Sequence, residues 1–390
     1  MFRKIYDQMD EILNNEKIVF IVGPRQVGKT TFMKKILDSL KTQDKQFLNL
    51  ENFEYHNFFK SFSNFQSFVA SNYSGSGKYF LFLDEFQKVK GIDNILKLIY
   101  DEMPFVKVIL SGSNNIEINK NIKESFAGRK RVYNMFPLDF DEFLIWKENI
   151  DSENLESFKR NLINKNKILN YVEEFMTYGG YPEVVLAKNN EEKKQILSDI
   201  FDFWFNRDIV IYTQKLFEFK ELTKQLSFRI GNTINYTEIA SLSNLSSPTV
   251  KSFIEVLKET FIVFTQKPFF NNKLKEINKS PKLYFYDFGF RNWFINRFDF
   301  SSEEKGILFE NMILSEFIKK GYNFDSLKFW RTNDEKYEVD LVFDLENKIF
   351  EFKYKDELKQ TDKRGIEKFK ELYPDFEGKI IYKENFLEII

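Results

Sequence analysis

The stretch "KIVFIVGPRQVGKTTFMKKIL", Lys17 to Leu37, decides how the rest of the chain is read. It opens with an apolar, β-branched run from Ile18 to Val22, the signature of a buried strand. Gly23-Pro24-Arg25-Gln26-Val27-Gly28-Lys29-Thr30 follows, and then Phe32, Met33, Ile36 and Leu37 recur at helical spacing. A G-x-x-x-x-G-K-[ST] pattern set between a strand and a helix predicts a phosphate-binding loop. Glycines let such a loop wrap a phosphate, with backbone N–H groups pointing inward at the positive end of the helix. The segment Gly23, Pro24, Arg25, Gln26, Val27, Gly28, Lys29, Thr30 and Thr31 is therefore the expected nucleotide cradle. Lys29 adds a point charge on the β- and γ-phosphates, and the Thr30 hydroxyl can ligate Mg²⁺.

A site that hydrolyses a nucleotide needs a second strand carrying acids. "KYFLFLDEFQKV" supplies four apolar residues, Phe80 to Leu83, then Asp84 and Glu85. Asp84 is placed to hold the Mg²⁺ shell, and Glu85 to orient and deprotonate an attacking water. A third apolar run, "VKVILSGSNN", ends in polar residues. Of these, Ser111, Ser113 or Asn114 can touch the γ-phosphate or the lytic water; the competing reading is simple capping of the strand end. Ser113 is the preferred catalytic candidate.

At 390 residues the chain is too long for one core, and two or three domains are expected. No apolar run approaches the ~20 residues that cross a bilayer. "MFRKIYDQMDEIL" at the start reads as an amphipathic helix without the apolar block of a signal peptide. There is no cysteine, so disulfides and thiolate metal sites are excluded, and the cytoplasm is the expected compartment. The single histidine, His56, rules out a multi-histidine zinc site, and its aromatic setting in "FEYHNFF" suits packing better than catalysis. Any metal should be hard and oxygen-liganded, Mg²⁺ first. With a net charge of −1 the whole chain is no polycation, so contact with nucleic acid needs a local patch.

"GPRQVGKTT", "LDEFQKV" and "ILSGSN", followed by "FAGRKRVYNMFPLDFDEFL" and "YGGYPEVV", resemble the bacterial and archaeal ATPases with an AAA-type N-terminal domain and a C-terminal DUF4143 region. The resemblance spans essentially the whole chain. It implies an additional-strand P-loop core, with the third-motif strand between the phosphate-loop and acid-bearing strands, and adenine as the base. Arg129 in "AGRKR" is the expected arginine finger, for its own or a neighbour's site, with Arg131 and Arg207 as competitors.

From about Asp151 to Phe228 the sequence reads as helical, broken at "TYGGYPEVV", where Gly179-Gly180 can take positive φ and Pro182 starts the next element. A lid beside the P-loop core is the expected role. "INYTEIASLSNLSSPTVKSFIEVLKETFIVF" predicts two helices, Tyr236–Leu242 and one capped by Ser247, with Val250, Phe253, Ile254 and Leu257 inward. Two strands around a polar tip follow, so a winged helix is expected. The second helix balances Lys251 and Lys258 against Glu255 and Glu259. The wing is more basic, with Lys267, Lys273, Lys275, Lys279 and Lys282 against Glu276, and DNA contact is expected there if anywhere; the alternative is a packing module.

The last segment holds "GILFENMILSEFIKKGY", a helix with Glu310, and then "EVDLVFDLENKIFEFKYK" from Glu338 to Lys355. A helix and strands carrying Glu310, Asp340 and Glu351-x-Lys353 resemble the core of PD-(D/E)xK nucleases over roughly the last ninety residues. In that reading Asp340 and Glu351 hold Mg²⁺, assisted by Glu310, while Lys353 positions a water. Alternation puts Glu351 and Lys353 on one strand face. Against cleavage, Glu-x-Lys is common in such a chain, and residues 301–390 carry 16 Lys and Arg against 21 Asp and Glu, a balance that repels DNA.

The expectation is thus an α/β protein. Its parts are an AAA-type P-loop core with a parallel sheet (1–150), a helical lid (151–228), a winged helix (229–300) and a nuclease-like α/β domain (301–390). Its expected role is an ATP- and Mg²⁺-dependent ATPase acting on or sensing DNA, with no membrane and with self-association a further expectation. The alternative is a slow ATP-binding switch that docks a protein partner through a non-catalytic tail.

Overall fold

Five successive apolar residues, Ile18–Val22, can all be hidden only in a strand covered on both faces, and β1 (Ile18–Val22) is buried at every position. In the computed structural model, which describes residues 1–113, 126–270, 276 and 279–390, β1 is flanked in parallel by β4 (Val106–Gly112) and β5 (Lys130–Asn134). β3 (Tyr79–Asp84) lies beside β4, and β2 (Lys45–Asn49) closes the other edge. The order β2-β3-β4-β1-β5 sets the third-motif strand between the loop strand and the acid strand, as the resemblance implies. This is a mixed α/β fold with a five-stranded parallel sheet among the described residues. Asn114 lies outside the described residues.

The chain divides into two compact units, Met1–Phe136 with Glu259–Phe261, and Pro137–Lys258 with Ile262–Ile390. Residues after Pro137 join the second unit for a local reason. Asp139 and Glu142 form a reciprocal capping box on the helix Phe140–Glu148, and the Phe140 N–H donates to Glu316 at 2.9 Å. Phe140 and Phe143 then pack edge-on against Phe175.

Within that unit the helices Tyr236–Leu242 and Ser247–Glu259 form as expected, with Val250, Phe253, Ile254 and Leu257 buried. The capping hydroxyl is Ser246, which accepts the Thr249 N–H at 3.2 Å, rather than Ser247, which is already helical. The expected wing is not a free hairpin. Its strands β6 (Val263–Pro268) and β7 (Lys282–Phe285) pair antiparallel, and β6 continues in parallel onto β8 (Lys328–Arg331). With β9 (Glu338–Phe343), β10 (Lys348–Lys353) and β11 (Glu377–Tyr382) they make one sheet, β11-β10-β9-β8-β6-β7. The helix Arg364–Leu372 sends Ile366 and Phe369 into a cluster with Trp330, Val339, Val342, Ile349 and Phe269. Phe317, from the helix Ser302–Lys319, packs on Phe343 with ring centroids 5.2 Å apart. Among the described residues no helix is long and apolar enough to cross a membrane.

The "YGGYP" break joins distant parts of this unit. Gly179 takes φ +79° and ends the helix Lys165–Tyr178. The buried Asp287 carboxylate accepts the Gly180 N–H at 2.7 Å on one oxygen, and the Gly289 N–H at 2.9 Å on the other. A Cβ on Gly179 would lie 2.1 Å from that carboxylate, so both backbone angle and space demand glycine. Gly179→Ala should destabilise this unit by roughly 3 kcal/mol. All four tryptophans, Trp146, Trp204, Trp293 and Trp330, lie within it, so urea unfolding followed by tryptophan fluorescence reads the loss directly.

Candidate functional site

The phosphate loop takes its shape from two backbone requirements. Gln26 and Gly28 have φ of +60° and +98°, turning the chain so that the helix Lys29–Ser39 starts facing the loop. At Gly23 a Cβ would lie 1.9 Å from the Met135 carbonyl oxygen, so the close approach of β5's exit excludes any side chain. Lys29 is buried and its ammonium folds back on the Gly23 and Pro24 carbonyls at 2.8 and 2.7 Å. Val27 is buried, Gln26 and Thr31 are exposed, and Arg25 turns toward the acid strand.

The Thr30 hydroxyl donates to Asp84 at 2.7 Å, and Ser111 donates to the other Asp84 oxygen. Loop, acid strand and third strand are thereby tied at one carboxylate. Thr30 and Asp84 already stand where two ligands of one Mg²⁺ would stand, so the donor set fits that ion. Glu85 follows at φ +54°, a left-handed conformation that is costly for glutamate and marks a functional turn. Its carboxylate lies 3.8 Å from the Arg25 guanidinium and accepts from Gln87 Nε2 at 2.6 Å. Burial pushes the Glu85 carboxyl above its ordinary value, with Arg25 and then Lys29 opposing. Such a shift suits a general base. Ser113 is buried and accepts from Gln87 at 3.3 Å.

Two contributors escaped the sequence reading. Gln87, two residues beyond Glu85, links it to Ser113; a polar residue at the second position after the acid pair was the only signal. Arg3, an extended residue just before the first helical turn, is buried. It donates to the Val27 carbonyl at 2.8 Å and to Phe136 at 2.8 Å, bracing the loop from behind.

Arg129 is corrected in one respect. Its carbonyl accepts the Ile18 N–H, so it stands at the start of β1 and β5, while the phosphate loop leaves the far end of the five-residue strand, about 17 Å away. There its guanidinium pairs with Asp101 at 2.9 Å. It cannot complete its own site. Arg131 pairs with Glu11 on the same sheet edge, and Arg207 lies in the second unit over the Phe203 ring.

The second cluster is built in the β6–β11 sheet. Glu338 and Asp340 share a face of β9, as Glu351 and Lys353 do on β10, and Glu310 reaches in from the helix Ser302–Lys319. Among the described residues, Glu310, Glu338 and Asp340 bring carboxylate oxygens within 4.8 Å of one another. Asp340 accepts the Phe352 N–H at 2.7 Å, and Lys353 donates to Glu351 Oε1 at 2.5 Å. Glu351 Oε2 is buried without a hydrogen-bond partner. Burial, then Glu351 and Glu310, push the Asp340 carboxyl well above its usual range. Burial pushes Glu351 up to about 7, against the pull of Lys353. A cleft of about 570 Å³ opens here, bordered by Glu338, Glu351, Lys353, Arg364 and Gly365. Buried oxygens, one of them orphaned, fit a hard divalent cation.

Glu338 and Lys282 were not read as members of this cluster. Lys282 was expected on an exposed wing, but it is buried and bonded to Glu310 and Glu338. Lys267 pairs with Asp325, Glu276 with Lys328, and Lys273 and Lys275 lie outside the described residues. The expected basic wing face thus loses Lys282 to the interior.

Residues 15–144 match an AAA domain family. Residues 169–301 and 305–388 match two domains of unknown function, DUF8612 and DUF4143. The chain carries an AAA-type domain followed by a C-terminal DUF4143 region. It is 29% identical over 369 residues to the uncharacterised protein MJ1544 of Methanocaldococcus jannaschii, covering 92% of this chain and 79% of that one. An uncharacterised Haemophilus influenzae protein is 25% identical over 334 residues, 82% of this chain and 78% of that one. Among solved structures, AMPPCP-bound DnaA from Aquifex aeolicus matches at 16% identity and TM-score 0.30, over 66% of this chain and 88% of that one. Drosophila ORC bound to DNA matches at 10% identity and TM-score 0.32, over 71% and 89%. At that level of superposition the assignment rests on strand order and loop geometry.

Removing the brace behind the loop should weaken nucleotide binding while leaving the fold standing. Arg3→Ala is expected to raise the Kd for an ATP analogue roughly tenfold, about 1.4 kcal/mol, by isothermal titration; unchanged affinity would reduce Arg3 to a chain tether.

Proposed function

We propose that this chain is a Mg²⁺-dependent ATPase whose second unit carries a divalent-metal site for phosphodiester chemistry on DNA. The observation that carries the first part is the Asp84 carboxylate joined to Thr30 and Ser111, with Glu85 beside it. On nucleotide binding, Lys29 exchanges its two carbonyl acceptors for β- and γ-phosphate oxygens. The loop N–H groups and the start of the helix Lys29–Ser39 hold the phosphate charge. Thr30 and Asp84 would hold Mg²⁺, which would supply neutralisation of that charge. Glu85 accepts a proton from a water whose oxygen bonds to the γ-phosphorus as the bond to the bridging oxygen breaks, releasing ADP and phosphate. Gln87 and Arg25 hold the Glu85 carboxylate between them until then. Arg129, at the far sheet edge, is assigned to a neighbouring copy's nucleotide, so hydrolysis requires self-association.

Glu85→Gln should keep ATP affinity within about twofold and lower turnover at least a hundredfold. If wild-type turnover were no greater than that of the variant, the chain would be a binding switch instead.

For the second unit the orphaned Glu351 oxygen beside Asp340 favours a metal site over a docking surface. Asp340 and Glu351 would hold the ion, with Glu310 alongside, and Lys353 is positioned to orient an attacking water. Supercoiled DNA incubated with Mg²⁺ should be nicked by the wild type, and at least tenfold more slowly by Asp340→Asn. Equal nicking by both proteins would leave the tail a non-catalytic module.

A further inference from the structure

Resting on the metal-site reading of the C-terminal acids, we infer that Lys282 is the site's built-in second cation and restricts it to one divalent ion. Most carboxylate oxygens of the cluster are already taken. Glu338 is held from both sides, by the Lys282 ammonium on Oε1 and by Arg331 Nε on Oε2 at 2.5 Å. Glu310 Oε1 accepts from Lys282 at 3.2 Å and from the Tyr284 hydroxyl. Two of the three acids whose oxygens converge are therefore bonded to one ammonium. The oxygens left to an ion are those of Asp340 and Glu351 together with the second oxygen of Glu310, and Oε2 of Glu351 is buried and unpartnered.

Lys282 has no route out. It is 1% exposed, it sits on β7 within a paired hairpin, and its Nζ lies 5.1 Å from the centre of the Phe329 ring. A divalent ion entering between Glu310 and Glu338 would leave a buried ammonium against an aromatic ring with no acceptor, a costly exchange. The ammonium thus neutralises one half of the cluster permanently, without exchanging or carrying a water. The other half is left to a single exchangeable ion. Lys282 is a specificity-determining residue for metal number; it does not itself touch the reacting atoms.

The test counts ions in the nucleotide-free full chain titrated with Mn²⁺, reading free ion and spin coupling by electron paramagnetic resonance. The wild type should bind one Mn²⁺ that Asp340→Asn removes, with no exchange-coupled pair. Lys282→Met should admit a second ion and show the coupled spectrum, and Lys282→Met with Glu338→Gln should return to one. Two Asp340-dependent ions in the wild type would overturn the inference while leaving the metal site intact, and so would a folded Lys282→Met chain that still binds one at unchanged affinity. The wild-type count decides the matter even if Lys282→Met does not fold. No Asp340-dependent ion in any protein would overturn the metal-site reading, and this inference with it.

Discussion

A buried ionised carboxylate is costly unless its oxygens are satisfied, and Asp84 meets that demand by reaching two different elements at once. Thr30 approaches from the first turn of the loop helix and Ser111 from the neighbouring strand. The order β3-β4-β1 places those three groups together. An unpaired Asp84 would cost several kcal/mol, so the sheet order, the loop position and the readiness for Mg²⁺ are held by one set of hydrogen bonds.

What was legible in the sequence is what depends on neighbours along the chain. The run Ile18–Val22, the glycines at 23 and 28, and the acid pair at 84 and 85 each carry their meaning locally, and the strand order came with the resemblance they support. Gln87 and Arg3 were not legible as site residues, because Ser113 and Val27, which they bond, lie 26 and 24 residues away. The two readings of Arg129, a finger for its own site or for a neighbour's, were not separable in the sequence for a related reason. A motif gives sequence distance from the loop, whereas the register Ile18↔Lys130 shows which end of the sheet it occupies.

The second unit shows the limit of charge counting. Residues 301–390 have an acidic excess, which on its face argues against a phosphate-handling surface. Part of that excess is internal. Glu310, Glu338, Asp340 and Glu351 face Lys282, Lys353 and Arg331 in a shared interior, and one of those cations comes from outside the segment. Tallying a segment presumes that it closes on itself, and this one does not. The apparent basic wing was the same error in reverse, since alternation along β7 turns Lys282 and Tyr284 inward toward Glu310.

That β6 lies alongside β8 across the position 300 seam has a consequence for how this protein can be dissected and how it can have diversified. Phe269 N–H donates to the Phe329 carbonyl, Phe269 fills the core under the helix Arg364–Leu372, and Gln266 holds the Asp340 carbonyl at 2.7 Å. A fragment starting at Ser301 would carry a raw strand edge, a hollow in its core and an acid cluster stripped of a counter-ion. The tail is therefore not an exchangeable cassette. Recombination that grafted it elsewhere would have to carry the preceding hairpin along, so those two segments should be inherited as one piece.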